Sequence, residues 1–88
     1  MLNEIRFQGW RAVAISNLGI EHLLCLGMSY EQIKKLYTTS FFEILDDDEQ
    51  SSIGKIKLEK WYGSADYGHW QLQDMLRIPT TSMFLEKK

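Results

Sequence analysis

The chain has 88 residues, of which 44% are hydrophobic and 25% are charged, and its formal net charge is −2. This composition predicts one small globular domain and excludes a disordered chain. The slight acidic excess argues against a nucleic-acid-binding protein, because such proteins usually carry a basic face.

Cysteine content and hydropathy indicate the compartment. Cys25 is the single cysteine, so an internal disulfide is excluded and a reducing environment is favoured. No apolar run approaches the roughly 20 residues that span a bilayer, and the first residues lack the apolar block of a signal peptide. We therefore expect a cytoplasmic protein without a membrane partner.

The first part of the chain has an ambiguous hydrophobic pattern. From Gly9 to Gly27 apolar residues recur at roughly helical spacing, with an interruption at Gly19. This pattern predicts one broken helix or two short ones. The alternative places Ile5, Phe7 and residues 13–15 in strands, because a spacing of two fits equally well over so few residues.

The next boundary is well marked. Gly27 is a natural helix stop, and Ser29–Gln32 has the pattern of a capping box, so a helix should begin at Tyr30. The threonines at 38 and 39 have weak helix propensity. Ser40–Glu43 is a second capping box, which predicts a turn and another helix.

Beyond Asp48 the pattern changes to alternation. Ile56 and Leu58 alternate with charged residues, and a second aromatic run begins at Tyr67, which predicts a β-hairpin. Helices over 52–62 and 70–76 are the competing assignments. The predicted fold is therefore α+β, with three to four short helices that include a helix-turn-helix-like pair and then a β-hairpin; an all-α fold is the alternative.

One proline separates the body of the chain from its end. Pro79 is followed by Thr80, Thr81 and Ser82, a combination typical of an irregular segment. We therefore expect a single globular domain over residues 1–78 and a short tail over residues 79–88.

The stretch from Gly27 to Leu45 resembles the helix-turn-helix unit of transcription regulators. Ile33, Leu36, Ser40 and Ile44 stand at the offsets that this unit uses. With the predicted hairpin after it, the order of elements is similar to a winged helix, which implies DNA binding. The loop from Leu26 to Met28 also resembles that of small ubiquitin-associated three-helix domains.

Charge opposes DNA binding by the second helix of this unit. Residues 38–50 contain no lysine or arginine, but they contain Glu43 and the acidic run Asp46–Glu49. Carboxylates repel phosphates, and at the predicted helix C-terminus they also oppose the helix dipole. This acidic helix end is therefore expected to seek a basic protein surface.

The predicted hairpin is unusually aromatic. Trp61, Tyr62, Tyr67 and Trp70 flank its turn, and tryptophan and tyrosine dominate binding hot spots. The alternative is that the two tryptophans close the core of a small domain. Exposure of the two tyrosines would favour the contact role.

No catalytic or metal-binding pattern stands out. His22 and Cys25 could share one helical turn, with His69 as a third ligand, but structural zinc sites normally use two close ligand pairs. Gly54-Lys55 lacks the rest of a phosphate-binding loop. We expect no cofactor, no metal site and no enzymatic activity.

The sequence thus predicts a non-catalytic protein-binding regulator, an adaptor or inhibitor, with a partner that has a basic surface. The alternative is a winged-helix or helix-turn-helix DNA-binding regulator, for which a homodimer is expected and whose cations would be Arg11, Lys34, Lys35, Lys55 and Lys57. The predicted partner-binding residues are Glu43, Asp46, Asp47, Asp48, Glu49, Trp61, Tyr62, Tyr67 and Trp70.

Overall fold

The computed structural model describes residues 9–80, which form a four-stranded sheet and two helices. In chain order the elements are β1 (Trp10–Ser16), β2 (Glu21–Gly27), α1 (Tyr30–Ile44), α2 (Asp47–Ser52), β3 (Ile53–Gly63) and β4 (Gly68–Leu76). The strand order is β2-β1-β3-β4, and every neighbouring pair is antiparallel. Two hairpins therefore lie side by side, joined through β1 and β3.

The hydrophobic core lies between α1 and one face of the sheet. Strand residues alternate between faces, and alternate residues of the two central strands point toward the helix. The buried core residues are Ala12, Ala14, Leu24, Ile33, Tyr37, Phe41, Leu45, Ile53, Ile56, Leu58 and Leu76. The sheet face that carries this core is called the helix face below, and the other is called the opposite face.

The helices predicted for residues 9–27 are wrong, because this segment is the β1–β2 hairpin. Val13–Ile15 lie in β1, as in the strand alternative, whereas Ile5 and Phe7 lie outside the described residues. Gly19, with φ of 87°, lies in the hairpin turn, where the Ser16 hydroxyl accepts from the amides of Leu18 and Ile20. β1 pairs with β2 on one side and with β3 on the other. This pairing selects the strand over the helix, which the local spacing of apolar residues did not.

The predicted helix-turn-helix is also absent. The helix begins at Tyr30 as expected, with the Ser29 hydroxyl accepting from the Gln32 amide, but α1 then continues to Ile44. Thr38 lies inside this helix and is buried. Packing of this face against the sheet outweighs the weak helix propensity of threonine, which costs only a few tenths of a kcal/mol.

The third prediction, a hairpin after residue 52, is present as β3 and β4. The competing helices over 52–62 and 70–76 are therefore wrong. The fold class as a whole is wrong too: 2 helices and a four-stranded antiparallel sheet replace three to four helices followed by a hairpin. The all-α alternative fails for the same reason.

The predicted tail begins close to the last described residues. Pro79 is buried and Thr80 is exposed, and residues 81–88 lie outside the described part of the chain. The boundary predicted at residue 78 therefore stays a prediction.

Candidate functional site

The hairpin of β3 and β4 carries a pair of tryptophans on the opposite face. Trp61 and Trp70 are cross-strand partners, and their ring centroids are 5.3 Å apart in an edge-to-face arrangement. The guanidinium carbon of Arg11 lies 4.2 Å from the centroid of a Trp70 ring. This cation–π contact joins the central strand β1 to the outer strand β4.

A buried carboxylate holds the arginine in place. Glu59 is only 6% exposed, and its carboxylate accepts from Arg11 Nε at 2.7 Å. Its other oxygen lies 3.3 Å from Lys57 Nζ. Two cations balance one buried charge, which is the arrangement that makes a buried carboxylate tolerable.

A second aromatic group lies on the helix face at the same end of the sheet. Trp10 and Tyr30 have ring centroids 5.9 Å apart. Lys60 Nζ lies 5.3 Å from the ring centroids of both Trp10 and Tyr62, and Lys34 Nζ lies 5.3 Å from that of Tyr30. Contacts between lysines and aromatic rings thus extend from α1 to the tip of the hairpin.

The hairpin turn presents its tyrosines to solvent. Tyr67 is 86% exposed and Tyr62 is 40% exposed, and Tyr62 stacks on His69 at 6.2 Å between centroids. Gly63 has a φ of 137°, and a Cβ there would collide with the Tyr67 carbonyl oxygen, so this turn requires glycine. The exposure of both tyrosines is the condition that favours a contact role over a core role.

A largely apolar groove of about 290 Å³ opens between these two aromatic groups, where β1 begins. Its walls include Trp10 from β1 and Trp70 from β4, together with Leu26 and Met28. Leu26 and Met28 are both exposed. We call the groove and the aromatic and basic side chains around it the aromatic end of the domain. These side chains are Trp10, Arg11, Tyr30, Lys34, Lys60, Trp61, Tyr62, Tyr67 and Trp70.

The acidic residues lie elsewhere and are arranged differently from the prediction. Asp46 is the N-cap of α2, and its carboxylate accepts from the Glu49 amide at 2.8 Å. The Glu49 carboxylate accepts from the Asp46 amide at 2.9 Å, which completes a capping box. The run thus opens a helix instead of closing one, and its charge favours the helix dipole.

The two halves of the predicted contact surface are not brought together. Glu43 lies in the last turn of α1, and Asp46–Glu49 lie at the start of α2, which leads into β3. Trp61 and Tyr62 lie at the other end of β3. β3 has 11 residues, so roughly 33 Å separates its first and last residues. One small partner surface could not cover both groups at once.

The proposed zinc ligands are far apart. His22 and Cys25 lie in β2 and His69 lies in β4. These are the two outer strands, so His69 is separated from the other two residues by the full width of the sheet, roughly 14 Å. Within residues 9–80, no three His, Cys, Asp or Glu side chains are placed to hold a metal ion.

The Cys25 thiol is not activated. Partial burial raises the pKa of Cys25, although hydrogen bonds with the Ala12 backbone and the Ser40 side chain act in the other direction. A raised pKa leaves less of the nucleophilic thiolate at neutral pH.

Neither described helix is long and apolar enough to cross a bilayer.

Sequence reasoning missed half of the aromatic end. Trp10 was placed in a helix, whereas it lies in β1, and the pairing of Arg11 with Glu59 joins residues 48 positions apart. No local pattern announces such a pair. The one available signal was Lys60, a cation that directly precedes the aromatic run.

Comparison with known proteins gave no relative: the chain matched no protein family, no curated protein and no solved structure.

Proposed function

We propose that this domain is a non-catalytic protein-binding regulator, an adaptor or inhibitor, that contacts its partner through the aromatic end. The observation that carries the proposal is the exposure of Tyr62 and Tyr67 in the same hairpin as the paired Trp61 and Trp70. Large rigid rings with polar edges are the side chains that dominate binding hot spots.

The surroundings of the rings also support a contact role. Trp61 donates its indole N–H to the Ser64 carbonyl at 2.8 Å, and Arg11 lies over Trp70. These contacts fix the rings before any partner arrives, so little side-chain entropy is lost on binding. A preorganised aromatic surface is a better binding site than flexible side chains of the same size.

The acidic run lies apart from the aromatic end. Asp46 and Glu49 are engaged in capping α2, and the run lies at the far end of β3. The idea that it meets a basic partner therefore becomes a separate proposal that needs its own variant.

The DNA-binding alternative has lost its support in the fold. It required a turn near Thr38, where α1 is continuous. Its cations are also divided, since Lys34 and Lys35 lie on the helix while Lys57 and Arg11 lie on the opposite face of the sheet. A single groove of DNA could not meet both sets.

The test is affinity capture from a lysate of the source cells, compared between variants. The double substitution Tyr62→Ala and Tyr67→Ala should weaken partner binding at least about 30-fold, because hot-spot residues contribute 2 kcal/mol or more. Leu18→Ala is the control, since Leu18 is an apolar residue as exposed as Tyr67 at the other end of the sheet.

The acidic run is tested in the same experiment by Asp47→Lys combined with Asp48→Lys. Retained capture by this variant and loss by the tyrosine variant would support the proposal. Capture that survives the tyrosine substitutions, with circular dichroism showing an intact fold, would contradict it.

A further inference from the structure

We infer that the partner segment bound at the aromatic end is acidic, with an apolar side chain that enters the groove between Trp10 and Trp70. This inference rests on the proposed function and deepens it, because it names the chemistry of the partner. The acidic run of the sequence had suggested a basic partner, whereas this inference names an acidic one.

The groove fits an apolar anchor. Its volume is about 290 Å³, and its walls include the rings of Trp10 and Trp70 and the side chains of Leu26 and Met28. Methionine and tryptophan surfaces of this kind adapt well to one inserted leucine-sized or aromatic side chain. The anchor therefore should be apolar.

The cations around the groove indicate the charge of the rest of the partner segment. Lys60 contacts the ring of Trp10, and Lys34 contacts the ring of Tyr30, which itself packs on Trp10. Among residues 9–80 the salt bridges are Arg11–Glu59 and Lys57–Glu59, so neither Lys34 nor Lys60 has a carboxylate partner there.

Two carboxylates near this site, those of Asp74 and Glu59, already have hydrogen-bond partners. Asp74 accepts from the Tyr30 hydroxyl at 3.2 Å and from the Met75 amide at 2.8 Å. Glu59 is buried between two cations. Asp74 keeps its charge and lines the same cavity as Lys34, but it forms no ion pair with it. Lys34 and Lys60 therefore have no carboxylate partner among residues 9–80, and a partner with carboxylates is the complementary one.

Single-stranded nucleic acid, the other anionic class, fits less well. The tryptophans of the groove are already in contact with other groups, Trp10 with Lys60 and Tyr30, and Trp70 with Arg11 and Trp61. The exposed rings for base stacking are therefore those of Tyr62 and Tyr67 at the turn. Nucleic-acid affinity also depends on many phosphate contacts, and this surface offers few cations. An acidic peptide needs only one anchor and a few carboxylates.

The inference is tested with synthetic probes by fluorescence anisotropy on the full chain. A random copolymer of glutamate and tyrosine should bind, and added salt should weaken the binding. A copolymer of lysine and tyrosine should bind much more weakly. Oligothymidylate is the nucleic-acid probe.

Charge-reversed variants locate the binding site. Lys60→Glu should weaken binding of the acidic copolymer about tenfold, which corresponds to about 1.4 kcal/mol. Lys34→Glu, on the exposed side of α1, should act in the same direction and serves if Lys60→Glu does not fold. Lys55→Glu is the matched control, because Lys55 is an exposed lysine near the start of β3 and its reversal changes the net charge equally.

The inference is overturned if the acidic copolymer does not bind, or if Lys60→Glu and Lys34→Glu bind it as well as Lys55→Glu does. Preferential binding of the basic copolymer or of oligothymidylate would also overturn it. So would concentration-dependent dimers that dissociate in Lys60→Glu, because a second copy would then occupy the groove. In all of these cases capture that depends on the tyrosines would leave the proposed function standing.

Discussion

The two ends of β3 show two different ways of holding charged and aromatic side chains. At its start, the acidic run is held by contacts within four residues, since Asp46 and Glu49 cap each other. At its far end, Arg11, Glu59 and Trp70 come from three different strands. The acidic end is therefore a local structure, and the aromatic end is a tertiary one.

This difference explains why the sequence placed the acidic run and the aromatic residues in one predicted contact surface. A charge run is conspicuous in a sequence, yet here it serves its own helix. Lys60 is less conspicuous in the sequence, yet it contacts the ring of Trp10, which comes from another strand. Conspicuous composition and functional position are separate properties.

The comparison depends first on α1 being continuous, because α1 leads the chain to the acidic end. Phe41→Ala should destabilise the protein by about 3–5 kcal/mol, since Phe41 is 2% exposed in the core. Ile44→Ala should cost less than about 1 kcal/mol, since Ile44 is 52% exposed. Urea denaturation measures both.

A helix-turn-helix would give another result for this pair. In that arrangement Phe41 and Ile44 both face inward on the second helix, so the two substitutions would have similar large effects. Equal losses of stability would therefore contradict the continuous helix.

The tertiary character of the aromatic end is tested by removing its arginine. Arg11→Leu leaves the buried Glu59 carboxylate with one partner fewer and should cost about 1–3 kcal/mol. Adding Glu59→Leu should restore much of this loss, because both members of the pair are then replaced by apolar groups. The free energy of unfolding is the measured quantity, and Lys55→Leu is the exposed control on the same strand as Glu59.

An Arg11→Leu variant as stable as the control would show that the ion pair contributes nothing to the aromatic end. The strands at the aromatic end would then be held together there by the packing of the rings and not by the ion pair.

The local character of the acidic end predicts a smaller effect. Asp46→Ala removes the N-cap of α2 and should cost about 1 kcal/mol. Asp46→Asn should cost much less, because asparagine is an equally good N-cap. Thermal unfolding of the two variants side by side measures the difference, and identical losses would mean that the charge, and not the cap, is important.

The smallest predicted effect has an informative sign. Asp48 lies in the first turn of α2, so Asp48→Lys should destabilise the protein by about 0.3–1 kcal/mol through the helix dipole. At the helix C-terminus that the sequence had indicated, the same change would stabilise. Chemical denaturation at low salt gives the sign, and stabilisation would place the run at a helix end after all.

Several elements could be predicted because their signals are local. Ser29 as an N-cap and Tyr30 as the first residue of α1 follow from a capping pattern, and the alternation around Ile56 and Leu58 follows from a half-buried strand. The aromatic residues of the hairpin were also found, and Trp61 and Trp70 do pair. Each of these signals lies within about ten residues of chain.

The sequence by itself therefore determined where α1 begins, and it favoured a hairpin after residue 52, with the rings that this hairpin carries, over the competing helices. Only the tertiary structure decided that residues 10–27 are strands, that α1 passes through Thr38, and that Arg11 meets Glu59 and Trp70. The reason is physical: caps and alternation depend on neighbours in the chain, whereas β1 is a strand because β2 and β3 supply the hydrogen bonds on its two sides.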